Sequence, residues 1–282
     1  MVFRRSAYKT PEQLRGMVEA GLITHAALEA VRAAIRPGMT TLELDRIAEA
    51  AIVERGAHSN FQLVPGYAHT ICVSVNDEVV HGIPGERVLE PGDIVSIDCG
   101  AETPEGWNGD SAITIVLPGG DPEVVARRQE LSDVTRGSMW AGIAALASAS
   151  HLAGVGAVIQ DYIEDNPLSF SGAPAGILRD YVGHGIGRKM HEPPTLFHYR
   201  TAQPGAKVKP GLTICVEPMM TSGSEAVFVE DDDWTVTTED GSDGAHWEHS
   251  VAVHAGGIWV LTAPDGGAEG LAPFGVTPAP IN

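Results

Sequence analysis

Cysteine is scarce in this sequence: three in 282 residues, Cys72, Cys99 and Cys215. They are odd in number, far apart and form no CxxC pair. That excludes a disulfide scaffold and a cysteine-type zinc site, and it fits a reducing compartment, the cytoplasm. Basic residues are scarce as well, with 18 Lys and Arg against 37 Asp and Glu and a formal net charge of −19. A surface of that sign does not meet phosphates, which excludes sequence-specific nucleic-acid binding and a polybasic membrane anchor. Aromatic residues make up only 6%. No strongly apolar run reaches membrane length. The stretch from Gly137 to Gln160 lacks Asp, Glu, Lys and Arg, but it is mostly Ala, Gly and Ser and is broken at Ser148-Ala149-Ser150. It reads as two short helices rather than a span. The N-terminal MVFRRSAYKTPEQL is basic without an apolar segment behind it, so no secretory signal is expected.

What the chain does have is 43% apolar residues, enough for a sizeable core, and 33 Gly and 19 Pro for many tight turns. It also repeats itself. In the first half Thr24 to Arg36 reads as an amphipathic helix closed by Pro37-Gly38, and Thr40 or Thr41 caps a second helix to about Arg55. In the second half Pro122 to Ala147 reads as a helix, and Ser150 caps another that ends near Asp165. Each half then carries a His beside a Gly/Pro turn, in Val79-Val80-His81-Gly82-Ile83-Pro84 and Met190-His191-Glu192-Pro193-Pro194. Each continues with Pro-Gly, a mostly apolar strand and a carboxylate: Pro91-Gly92 to Asp98, and Pro210-Gly211 to Glu217. The same order twice implies pseudo-twofold duplicated halves in an α/β architecture, with strands inside and helices outside. The whole chain reads as a single catalytic domain, core about 10–262, and 263–282 as a loose Gly/Pro-rich tail.

The acids of these strands define the chemistry. Alternation places Asp98 on the face opposite Val95 and Ile97. Gly100 to Gly106 reads as a turn-rich link, and Asp110 to Leu117 as the returning strand, so a hairpin brings Asp98 and Asp110 near each other. Two carboxylates at the apolar centre of a sheet repel and are expensive to bury, and a cation offsets both penalties. Glu217, Glu248 in a strand over Trp247 to Val253, and His184 between glycines complete a donor set of oxygen and nitrogen. Such a set suits two adjacent divalent metals: Mn, Fe, Co or Zn. Metals roughly 3.5–4 Å apart can hold and activate hydroxide. A single Asp at a strand end is more often a turn-former.

The ordered set Val79 to Pro84, Gly92 to Asp98, Asn108-Gly109-Asp110, Gly183-His184-Gly185-Ile186-Gly187, Met190 to Pro193, Glu217-Pro218-Met219 and Glu248-His249 resembles the type I methionine aminopeptidases over about residues 10 to 262. The resemblance implies the pita-bread fold, a curved, mainly antiparallel sheet with helices outside. It implies Asp98, Asp110, His184, Glu217 and Glu248 as ligands of two divalent metals, with Asp110 and Glu248 bridging. It implies His81 and His191 as the histidines at the scissile bond, and Glu217 in proton handling as well. The implied reaction removes Met from chains with a small second residue, through attack by a metal-bridged hydroxide on the first peptide bond. Glu217 and Glu248 are too close in sequence for the helical insertion of type II members, and no Cys/His-rich zinc extension precedes the core. Both features point to the compact bacterial form.

Tyr67, Cys72, His81, Met190 and Trp234 fall at positions of the family's methionine pocket. Val64 stands where Tyr is common, Phe61 where Cys is common, and Met190 where Phe is usual, so the pocket departs from the family pattern while the metal set does not. His246, commonly Gln in the family, reads as a polar group behind the ligands. His25, His58, His69, His151, His198 and His254 carry no motif and read as surface or packing residues, and Glu230 to Asp233 as a solvated loop. Three alternatives stay open on sequence grounds: an Xaa-Pro metallopeptidase, whose relatives usually carry a large N-terminal domain; a non-catalytic binding module on the same fold; and another dinuclear carboxylate enzyme, whose ligands sit on bundle helices. The expected partners are nascent or completed polypeptides with a free N-terminal Met, acted on by a monomer. Given the net charge, any ribosome contact is expected to be weak and to use a local patch such as Arg4, Arg5 and Lys9.

Overall fold

The computed structural model describes residues 8–281. Arg4 and Arg5 of the expected basic patch lie outside them. Lys9 lies inside, and its ammonium is committed to Glu192 at 2.6 Å.

Helix α1 spans Pro11–Ala34, thirteen residues longer at its start than the apolar periodicity suggests. The reason is a capping box. The Thr10 hydroxyl accepts from the Gln13 amide while the Gln13 side chain accepts from the Thr10 amide, with Pro11 opening the helix. Helix α2, Thr41–Val53, starts on the same device built from Thr40 and Glu43. Strands β1 (His58–Ser59), β2 (Ile71–Val75), β3 (Glu78–Val80), β4 (Ile94–Glu102) and β5 (Asn108–Val116) follow. Antiparallel β4 is flanked by β1, β2 and β5. Val95, Ile97, Cys99 and Ala101 of β4 are buried in the main core that also takes in Ala27, Leu28 and Val31 of α1. The helix lies close: a Cβ on Gly109 of β5 would stand 2.6 Å from the Ala20 carbonyl.

Helices α3 (Pro122–Ala145) and α4 (Leu152–Asp165) open the second half. Asp121 caps α3 through the amides of Glu123 and Val124. The break between them falls where the Ala/Gly/Ser stretch was interrupted. The α4 cap position is His151 without a side-chain bond, however, and the Ser150 hydroxyl pairs instead with His151 Nδ1. No described helix is long and apolar enough to cross a membrane. Strands β6 (Gly176–Ile177), β7 (Gly183–Gly185), β8 (Glu192–Leu196), β9 (Thr213–Val216) and β10 (Met219–Thr221) come next. They are followed by β11 (Val227–Val229), β12 (Val236–Thr238), β13 (Gly244–His246), β14 (His249–His254) and β15 (Gly257–Val260). A five-stranded sheet in the order β15-β14-β9-β7-β8 mirrors the β4 sheet of the first half.

The halves are sewn together at their acids. Ala112 and Glu248 exchange both backbone hydrogen bonds, and the Ser250 hydroxyl donates to the Asp110 carbonyl at 2.7 Å. The architecture is therefore the duplicated, mainly antiparallel α/β arrangement with helices outside. The C-terminal segment is not loose. A short α5 (Ala268–Leu271) buries Leu271, and the Ala279 amide and carbonyl bond to Ile258 and His254.

Candidate active site

Asp98 does not end its strand. β4 runs on to Glu102 and the turn occupies 103–107, because Gly100 is a packing glycine: a Cβ there would stand 2.1 Å from Asn60 Oδ1. The register pairs Asp98 with Ala112 and Gly100 with Asp110. The two acids thus share the inner face, two register positions apart on the diagonal rather than directly opposite. Glu217 directly follows β9, as the sequence suggests. Glu248 sits in the break between β13 and β14, not inside a strand, and is held there by its backbone bonds to Ala112. His184 is the centre of β7.

All five face one cavity of about 130 Å³, together with His81 and His191. Asp110, Glu217 and Glu248 are buried and Asp98 is half-buried, and each carries an oxygen without a hydrogen-bond partner among the described residues: Oδ1 of Asp98 and Asp110, Oε1 of Glu217 and Glu248. Burial pushes their carboxyls up, Asp98 to about 7, and for Asp110, Glu217 and Glu248 the charges of neighbouring acids add to it.

The sharpest contact is between His184 Nε2 and Glu217 Oε1, at 3.2 Å. His184 Nδ1 lies 3.1 Å from the Gly185 carbonyl, which fixes the proton on Nδ1. Burial holds the imidazole neutral, its pKa lowered to about 3. Two lone pairs therefore point at each other, and a cation between them is the arrangement that satisfies both. The donor set fits a divalent metal on that ground.

Cys215 enters the same neighbourhood. Its sulfur and donor atoms of Asp110, His184 and Glu248 lie within 4.8 Å of one another. Burial and the charges of Glu248, Asp110 and Glu217 push the thiol well up, and Ser250 Oγ lies 3.4 Å from it. Cys215 does not line the cavity that the four acids and His184 face, so the oxygens of Asp98 and Glu217 stand better placed than this sulfur to complete a donor set there.

His81 adopts φ 62°, a left-handed conformation that a non-glycine residue holds only when its surroundings enforce it. Its ring stands edge-on to Tyr181 and Trp234 at 5.8 and 6.3 Å. His191 packs edge-on against His184 at 4.3 Å. Burial lowers the pKa of both, His81 to about 4, so both rings are neutral N–H donors near neutral pH. Beyond them Phe61, Tyr67 and Cys72 form a small apolar cluster closed by Val64, Met190 and Trp234. The Tyr67 hydroxyl donates to the Ile71 carbonyl at 2.7 Å, which leaves the pocket a wall without a free polar group. Trp234 is seated by Asp232, whose carboxylate accepts from the amides of Trp234 and Thr235. The acidic loop is solvated as expected, yet it positions a pocket ring.

The sequence reads His198 as a surface or packing residue. It is fully buried, and its Nε2 accepts from the Glu217 amide at 3.2 Å, holding the segment that aims Glu217. No sequence pattern marks it, since the contact joins the end of β8 to the end of β9. We expect His198→Ala to lower metal affinity about 10- to 100-fold. Calorimetric titration with Mn checks this, and unchanged affinity would return His198 to a packing role. His246 is buried behind the cavity with Nε2 unpartnered among the described residues.

The sequence model of metallopeptidase family M24 matches residues 15–255, which include every residue named above for the site. Methionine aminopeptidase 1 of Bacillus subtilis is 41% identical over 254 residues, 90% of this chain and 98% of the relative. The Mycobacterium tuberculosis methionine aminopeptidase 1 is 45% identical over 251 residues, 89% and 92% of the two chains. Among solved structures, the methionine aminopeptidase of Thermotoga maritima superposes with a TM-score of 0.83 at 36% identity, covering 90% of this chain and 98% of its own. The prolidase of Pyrococcus furiosus shares the fold at 19% identity and a TM-score of 0.68, covering 91% of this chain and 65% of its own. The chain belongs to metallopeptidase family M24 and stands among its methionine aminopeptidases.

Proposed function

We propose that this chain, acting as one catalytic domain, removes the N-terminal methionine from polypeptides whose second residue is small. The observation that carries the reading is the junction of two unlike surfaces in one cavity: a floor of orphaned carboxylate oxygens around His184, and a wall formed by Phe61, Tyr67, Cys72, Val64, Met190 and Trp234. An unbranched thioether fills an irregular apolar pocket well and gains from sulfur–aromatic contact with Tyr67 and Trp234. The Tyr67 hydroxyl is already used, so this ring offers the occupant an apolar face rather than a hydrogen bond.

Asp98, Asp110, His184, Glu217 and Glu248 would hold two divalent cations, drawn from Mn, Fe, Co and Zn. Bound there, the cations lower the pKa of water and polarise the scissile carbonyl. The chain's own groups do the rest. The N–H of neutral His81 or His191 donates to the oxygen that gains charge, or to the peptide nitrogen. The Glu217 carboxyl, whose proton affinity burial raises, takes a proton from the attacking water and returns it to the departing amine. The three cysteines are free and buried, which supports a cytoplasmic setting with nascent or completed chains as substrates.

The test is release of free amino acid from Met-Ala-Ser and Ala-Pro-Ser by metal-stripped protein restored separately with Mn, Co, Fe or Zn. Methionine from the first peptide alone is expected. Cleavage of the second alone would move the chain to the Xaa-Pro branch. We further expect His81→Ala to lower kcat by about a hundredfold with metal content unchanged. Loss of metal in that variant would place His81 among the ligands instead.

A further inference from the structure

A second cavity of about 390 Å³ continues the catalytic one, and the two share Val64, Met190 and His191. It runs from the histidine placed at the scissile bond outward between the 63–65 loop and the 188–191 turn. Its rim carries Arg188 and Lys189, both exposed. In a chain with 18 basic and 37 acidic residues, two adjacent cations at the edge of the catalytic cavity are a local reversal of sign.

These cations are poised rather than neutralised. The Arg188 guanidinium lies 3.7 Å above the Trp107 ring centroid and donates to the Glu105 carbonyl, so it is held in place without a carboxylate partner among the described residues. Lys189 uses its backbone amide on Glu192, but its ammonium has no ion-pair partner there. Of the nearby acids Glu192 is neutralised, while Glu102 keeps its charge in the trough, so the lining carries two cations against one unneutralised anion. Glu192 takes Lys9 at 2.6 Å and the amides of Arg188 and Lys189, and Glu102 accepts from the Asn108 side chain. An extended peptide advances ~3.3–3.6 Å per residue, so a chain that leaves His191 along this trough meets the rim within its next few residues.

We propose that the trough is a subsite for the third to fifth residues of the substrate and that Arg188 and Lys189 select carboxylates there. The proposal rests on the reading of the chain as an enzyme acting on N-terminal methionine. The carboxylate has two sources, an Asp or Glu side chain or the free C-terminus of a short peptide.

The experiment compares kcat/KM of the Mn-restored full chain on Met-Ala-Ser-Glu-Glu-amide and Met-Ala-Ser-Lys-Lys-amide, and on Met-Ala-Ser as acid and as amide. The acidic pentapeptide is expected to lead by about fivefold, the scale of one to two exposed ion pairs, with the margin shrinking as salt is raised. Lys189→Glu is expected to invert the ratio. A lead of the acid form of Met-Ala-Ser over its amide, lost in the same variant, assigns the terminal carboxylate to the same rim. Equal rates on the two pentapeptides overturn the proposal, as does a preference that survives Lys189→Glu. Methionine release from none of the peptides overturns the enzymatic reading itself, a result distinct from release without charge preference.

Discussion

Asp110→Asn is expected to lose its metal and, in the metal-free state, to melt higher than the parent. Both effects come from one carboxylate. Asp110 is buried with Oδ1 unpartnered, and burial together with the charges of Glu248 and Asp98 drives its carboxyl up. Replacing it with a neutral amide of the same shape removes a buried charge from a repelling group. Such changes often stabilise a fold. The metal-free variant should gain on the order of 5 °C in melting temperature at pH 8. The same change takes away the carboxylate oxygen that stands 3.9 Å from His184 Nε2 and that the proposed metal set needs. Metal affinity should fall by at least about 100-fold and turnover of Met-Ala-Ser by roughly a thousandfold. Elemental analysis and thermal melts with and without Mn check both halves. Retained stoichiometry with retained turnover would remove Asp110 from the ligand set.

The second large effect is a pH dependence that appears only without metal. Asp98 has its folded pKa raised from 3.8 to about 7, and Asp110, Glu217 and Glu248 are raised too. An acid whose folded pKa is raised contributes stability that is present at low pH and is lost as pH climbs through the folded value. The buried histidines 81, 184, 198, 246 and 249 have the opposite sign. Their pKa values are lowered to about 3 or 4, so their contribution improves as pH rises to 6.5 and is then complete. Below pH 6.5 the two sets oppose each other. Above it the carboxylates act alone. The metal-free protein should therefore lose on the order of 5 °C in melting temperature between pH 6.5 and 8.5. The Mn-loaded protein should stay flat over the same range, because the cation supplies the compensating charge. A metal-free protein equally stable across the window would show that the four acids do not share one site.

The donor types were legible because buried acids and a glycine-flanked His at strand positions have few structural uses. Their surroundings were less so. Gly100 suggested a turn, whereas the structure uses it to admit the Asn60 side chain, and β4 continues past Asp98. The Thr10–Gln13 capping box was present in the sequence, but the apolar periodicity drew attention to Thr24 instead. Glycines near the C-terminus suggested looseness. Gly267 and Gly270 instead let the chain close on Trp140, where a Cβ would meet the ring at 3.2 and 2.2 Å. His198 could not be found at all, since only the fold brings it to the Glu217 amide.

The reciprocal bonds between Asp110 and Ser250 join positions 140 residues apart, and this has a bearing on the order of assembly. Asp98 and Asp110 emerge early during synthesis on a hairpin of their own, while His184, Glu217 and Glu248 follow much later. Until Glu248 and β14 have been made, at most four of the five candidate donors, Asp98, Asp110, His184 and Glu217, exist for a cation to bind. A metal held by all five would therefore close the folding sequence rather than seed it. A chain cut short before residue 248 would carry three of the four acids and lack both Glu248 and the strand whose Ser250 holds Asp110.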